Sequence, residues 1–238
     1  MNNLRDILFL DIETVSSVDS FDALDDRMKA QWLRKADYIN RTEGISDEYL
    51  YYQKAAVYAE FGKIVTIAIG YFNVNKETVE FRTKALYSHD EATILEEFKE
   101  VLLKLDPESL KLCAHNGREF DFPYISRRML VNGIRLPSVL DLAGKKPWEV
   151  NHLDTMDMWK FGDWKHYTSL ELLASIFGID SSKTGMDGSQ VGDMYYNQKA
   201  IKEIAEYCAQ DVIVTAQLYL KLKSIDLGEI IFLDQTTY

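Results

Sequence analysis

The sequence predicts an α/β fold built on a mixed sheet, and three observations carry that expectation. The first strand-like segment is a short continuous apolar run, the pattern of a central strand buried on both faces. Three early strand-like segments lack regularly alternating helices, which favours some antiparallel pairing. Later strand-like segments do alternate with amphipathic helical ones, which favours parallel pairing with helices on both faces of the sheet.

Residues 7–10 (ILFL) are that first strand, and they run into Asp-Ile-Glu. Residues from 15 to about 60 break the pattern: Asp19, Asp22, Asp25 and Asp26 precede Trp32, Tyr49, Tyr51, Tyr52 and Tyr58. They read as a mostly helical insertion whose tyrosines pack against the domain or, less often for such residues, line a cleft. Residues 63–72 (KIVTIAIGYF) are rich in β-branched and aromatic types and read as a strand. Residues 78–86 make a third strand after a turn at 73–76. Ser88 and Glu91 have capping-box spacing, and Ile94, Leu95, Phe98, Leu102 and Leu105 form a helical apolar stripe ending before Pro107. Residues 111–114 form a short fourth strand leading into His115-Asn116-Gly117. A helix over about 121–130 tolerates Pro123 in its first turn and exits at Gly133. Residues 136–164 are ambiguous, with a short fifth strand near Leu153. Thr168 and Glu171 repeat the capping-box spacing before a helix that ends at Gly178. Residues 180–193 read as a loop, and the last long helix covers about 201–223.

No repeat, low-complexity tract or linker divides the 238 residues, so one domain carrying an insertion is expected. A hydrophobic fraction of 47% allows a sizeable core. No apolar run approaches the ~18 residues of a membrane span, and MNNLRD lacks the pattern of a secretion signal. Cys113 and Cys208 are too few for a disulfide scaffold, so reduced thiols and a cytoplasmic location are expected. With 27 Lys and Arg against 38 Asp and Glu, the net charge is −11. That argues against a tight grip on long duplex, which counterion release would drive.

Asp11 and Glu13 are two apart in a strand and share a face. Beside an apolar run they must be solvated, paired or bound to a cation. Asp121 suits a first helical turn, and Asn116, Phe120 and Asp121 have a common spacing after the fourth strand. Tyr207 and Asp211 are four apart on the last helix. Asp211 lies about 60° from Cys208 on the helical wheel, at the edge of an apolar stripe. A half-buried carboxylate there needs a partner, either a metal ion or a basic side chain.

LFLDIET, AHNGREFD and YCAQD together resemble the three motifs of the DEDD exonucleases, in order and on the right elements. The Tyr-x-x-x-Asp spacing at 207–211 resembles the tyrosine branch; a histidine branch would need His where Glu206 stands. FGKIVTIAIGYF, TSLELLASIFGI and KTGMDGSQV resemble freestanding PolB-like predicted 3′→5′ exonucleases, similar to the proofreading domain of family B DNA polymerases. The resemblance implies a ribonuclease H-like fold with a five-stranded mixed sheet flanked by helices. It implies two divalent cations, Mg²⁺ or Mn²⁺, on Asp11, Glu13, Asp121 and Asp211, with Asp11 bridging. Tyr207 would orient the attacking water. Thr14, Asn116, Arg118 and Phe120, in or beside the motifs, are the expected substrate contacts, with bracing an equal role for Asn116.

The expected partner is the 3′ end of single-stranded nucleic acid, DNA favoured over RNA, with any replication or repair protein unidentified. The alternatives are an exoribonuclease, a nuclease of short oligonucleotides, and a nucleic-acid-binding protein of the same fold with little turnover. Asp154 reads as a turn residue before a second-sphere one, and Arg127 and Arg128 as a solvated helix face. Cys208 reads as packing, and His115, His152 and His166 show no zinc pattern.

Overall fold

The computed structural model describes residues 4–39, 44–75, 77–163, 167–180 and 188–236. Its strands are β1 (Ile7–Ser16), β2 (Gly62–Val74), β3 (Val79–Tyr87), β4 (Lys111–Ala114), β5 (Leu153–Asp154) and β6 (Ile230–Asp234). Its helices are α1 (Asp26–Ala36), α2 (Asp47–Lys54), α3 (Glu91–Leu103), α4 (Asp121–Val131), α5 (Thr155–Lys160), α6 (Leu170–Phe177), α7 (Val191–Asp193) and α8 (Ile201–Leu222).

The strands form one mixed sheet in the order β5-β4-β1-β2-β3-β6. β1–β2 and β2–β3 pair antiparallel, and β1–β4, β4–β5 and β3–β6 pair parallel. The sheet therefore has six strands and not five. β6 was missed because residues 230–234 are a short apolar run beyond the last helix, with no alternation. They stay largely exposed at the sheet edge.

β1 alternates cleanly between the two layers. Leu8, Leu10 and Ile12 join the core under α3 and α4. Ile7 and Phe9 join the core under α8, with Ala205, Cys208 and Val212. β1 also runs on to Ser16, so Asp11 and Glu13 lie inside the strand and not at its end. Its register with β2 shifts between Glu13 and Thr14, which leaves Val65 as the extra residue on β2.

The insertion is helical, as expected, with its own core around Trp32, Leu50, Tyr51 and Phe61. Tyr51 is fully buried against Trp32, whereas Tyr49 and Tyr52 are exposed and stack on each other with centroids 6.3 Å apart. Neither predicted capping box forms. Asp90 caps α3, and Ser169 caps α6 by accepting from the Leu172 N–H. Glu91 turns inward instead. It accepts from the Ile64 N–H at 2.7 Å and pairs with Arg128 at 2.6 Å, joining α3, α4 and β2. Arg128 is thus a nearly buried clamp and not a solvated side chain. Residues 180–193 are partly helical: Gly188–Gln190 is a 3₁₀ turn, and α7 continues into the π-helical turn Met194–Gln198. His166, Asp187 and most of the 183–191 segment lie outside the described residues.

Candidate active site

Asp11 and Glu13 project from β1 toward α8, on the face that carries Phe9 into the core. On α8, Cys208 packs into that core, and Tyr207 and Asp211 flank it one residue before and three after. The two elements bring carboxylate oxygens of Asp11, Glu13 and Asp211 within 4.8 Å of one another. At that separation, and an effective dielectric of about 20, each pair of full charges repels by roughly 3–4 kcal/mol. Burial above all, and then this repulsion, hold the Asp11 and Glu13 carboxyls well above the usual carboxylate range.

Asp121 opens α4 from the other side of β1. It is 2% exposed, and burial pushes its pKa up to about 7 against hydrogen bonds from its own N–H and that of Ile12. Its charge also acts on Asp11 and Glu13. Its Oδ1 is buried without a hydrogen-bond partner. Among the described residues no Lys or Arg pairs with Asp11, Glu13 or Asp121. Four acids from β1, α4 and α8 thus gather at one place, with the Asp121 Oδ1 left unpartnered. The all-oxygen donor set fits a hard divalent cation such as Mg²⁺ or Mn²⁺.

Residues 57–231 match the family described as predicted 3′–5′ exonucleases related to the exonuclease domain of PolB. The chain belongs to that family. Its fold is ribonuclease H-like and similar to that of the family B DNA polymerase from the hyperthermophilic archaeon Pyrobaculum calidifontis. The TM-score is 0.56 at 15% identity, covering 91% of this chain and 24% of the polymerase chain. The chain spans about a quarter of that polymerase's length. None of the curated proteins matches it.

In this PolB-related exonuclease the Tyr207 hydroxyl lies near Asp211, one turn on along α8. Burial and the charges of Asp211, Glu13 and Asp11 raise its pKa far above that of a free phenol, so it keeps its proton. The segment after β4 is held from behind. Asp154, capping α5, accepts from the N–H groups of Asn116 and Arg118, both at 3.0 Å, and of Met156 and Asp157. Asp154, expected as a turn residue before a second-sphere one, ends β5, caps α5 and holds the segment after β4, and no sequence signal links it to residues 116–118. Gly117 is required in that segment: a Cβ there would lie 2.5 Å from the Ala114 Cβ.

The expected substrate contacts differ in what they have free. Asn116 sits at φ 65° with Oδ1 buried and without a hydrogen-bond partner. The Arg118 guanidinium is engaged by the carbonyls of Val150 and His152, with Asp157 3.9 Å away. The Thr14 hydroxyl donates to the Ala56 carbonyl at 2.9 Å, fastening the insertion to β1. Phe120 packs on Tyr124 with centroids 5.3 Å apart. His115 and His152 are structural. The His115 Nε2 donates to the Thr168 carbonyl, and the His152 Nε2 donates to that of Val139.

Proposed function

We propose that the protein hydrolyses phosphodiester bonds from the 3′ end of single-stranded nucleic acid, DNA before RNA, and releases nucleoside 5′-monophosphates. The observation that carries this is the convergence of Asp11, Glu13 and Asp211 beside Asp121, whose buried Oδ1 has no partner. Asp11, Glu13 and Asp211 would hold one divalent cation, and Asp11 and Asp121 a second. Two such cations supply charge stabilisation for the attacking and leaving oxygens of an in-line displacement. The chain's own residues do the rest. Tyr207 stays protonated and orients the attacking water as a hydrogen-bond partner. Asn116, whose N–H is held by Asp154 and whose Oδ1 is buried, braces the segment that leads to Asp121 or contacts the substrate through its other atoms. Thr14, Arg118 and Phe120 shape the walls, and their bonded groups favour bracing over direct grip. The net charge of −11 supports a short hold on each strand and low processivity.

The test is digestion of end-labelled single strands of DNA and of RNA, with product lengths resolved over time. Activity needs Mg²⁺ or Mn²⁺, is lost with EDTA, and is lost in a folded Asp11→Asn variant. Undiminished turnover in Asp11→Asn, or digestion from a free 5′ end, overturns the proposal. RNA digested faster than DNA overturns the sugar preference alone.

A further inference from the structure

Cys208 is fully buried on α8 between Tyr207 and the core. Its Sγ lies 3.2 Å from Asp11 Oδ2 and 3.4 Å from the Asp11 carbonyl oxygen. Ala205, Cys208 and Ala68 share one core cluster, and Ala68 is the residue paired with Asp11 across the β1–β2 ladder. The thiol therefore sits where α8 crosses that rung of the sheet.

We propose that Cys208 is a positioning residue for Asp11, holding one carboxylate oxygen by an S–H···O hydrogen bond. The inference rests on the reading of Asp11 as a metal ligand. A thiol has one proton to donate, and the nearer of its two acceptors is the Asp11 Oδ2. Directed at Oδ2, it fixes the Asp11 rotamer in a cluster whose charges would otherwise push the group about. It leaves the other lone pairs of the carboxylate for a cation. Groups that hold a ligating carboxylate in this way commonly alter metal affinity 10–100-fold. Packing alone asks only for a small apolar volume at 208, which Ala or Val supplies without a donor.

The experiment is calorimetric titration of Mn²⁺ into the wild-type protein and the Cys208→Ala, Cys208→Val and Cys208→Ser variants, without nucleic acid. Thermal melts check that each is folded. Cys208→Ala and Cys208→Val weaken Mn²⁺ binding by about tenfold or more, and Cys208→Ser, which keeps an O–H donor, returns it to within a few-fold of wild type. A folded Cys208→Ala or Cys208→Val that binds Mn²⁺ as tightly as wild type overturns the proposal and leaves the metal site standing. A wild-type protein that binds no Mn²⁺ overturns the metal reading, and this proposal with it.

Discussion

At the scale of single residues, Tyr207 and Asp211 are four apart on one helix but carry different burdens. Asp211 supplies a charge to the acid cluster, and Tyr207 supplies only a proton donor near Asp211. Tyr207→Phe keeps the ring and every carboxylate, so metal and strand binding survive it. Single-turnover rates at saturating Mg²⁺ should fall, by no more than the ~10²–10⁴ that positioned proton-transfer groups contribute. Asp211→Asn should cost more, because it removes charge from the cluster itself. Equal rates for wild type and Tyr207→Phe would reduce Tyr207 to a packing aromatic.

The elements assemble the site through contacts that lie behind it. Asp154 belongs to α5 and β5, yet it accepts N–H bonds from the segment that leads to Asp121. Asp154→Ala removes a helix cap and leaves the N–H groups of Asn116 and Arg118, whose bonds to it are half-buried, without an acceptor. The loss should be about 2–4 kcal/mol by denaturant unfolding. Hydrogen exchange at the Asn116 and Arg118 amides should speed up relative to those of β1, and unchanged protection there would refute the bracing role. The acids themselves were legible because they sit in motifs on strongly patterned elements. The braces were not. Glu91 looks like half of a capping box, and Arg128 like a surface charge, until α3 and α4 pack side by side and bury both. Cys208 looks like filler until α8 is laid across β1. Each role depends on a neighbour distant in the chain, which periodicity cannot supply. β6 escaped notice for a local reason: an exposed apolar pentapeptide at a sheet edge has no alternation to read.

For the molecule as a whole, stability should depend on pH through a buried histidine, His152. The His152 Nδ1 accepts from the Leu112 N–H while Nε2 donates to Val139, so the ring is held neutral. Burial lowers its pKa below the ordinary value, and the charges of Arg118 and Lys145 act the same way. The unfolded chain takes up a proton below about pH 6.5, and the folded one resists it. This contribution is therefore complete above pH 6.5 and is lost as pH falls toward the folded-state pKa. Thermal melts from pH 8 to 5 at saturating Mg²⁺ should show a smaller acid-side fall in His152→Gln than in wild type. Parallel curves would show that His152 does not couple folding to pH. Among the described residues, no helix is long and apolar enough to cross a membrane.

The order of the strands also sets a timetable. β1 is made first but lies inside the sheet, with its parallel neighbour starting at Lys111 and the last of the four acids at residue 211 on α8. A ribosome adding about 5–20 residues per second needs roughly 10–40 s to travel from Asp11 to Asp211. Through that interval the growing chain carries at most three of the four acids, and the cluster is complete only when α8 follows.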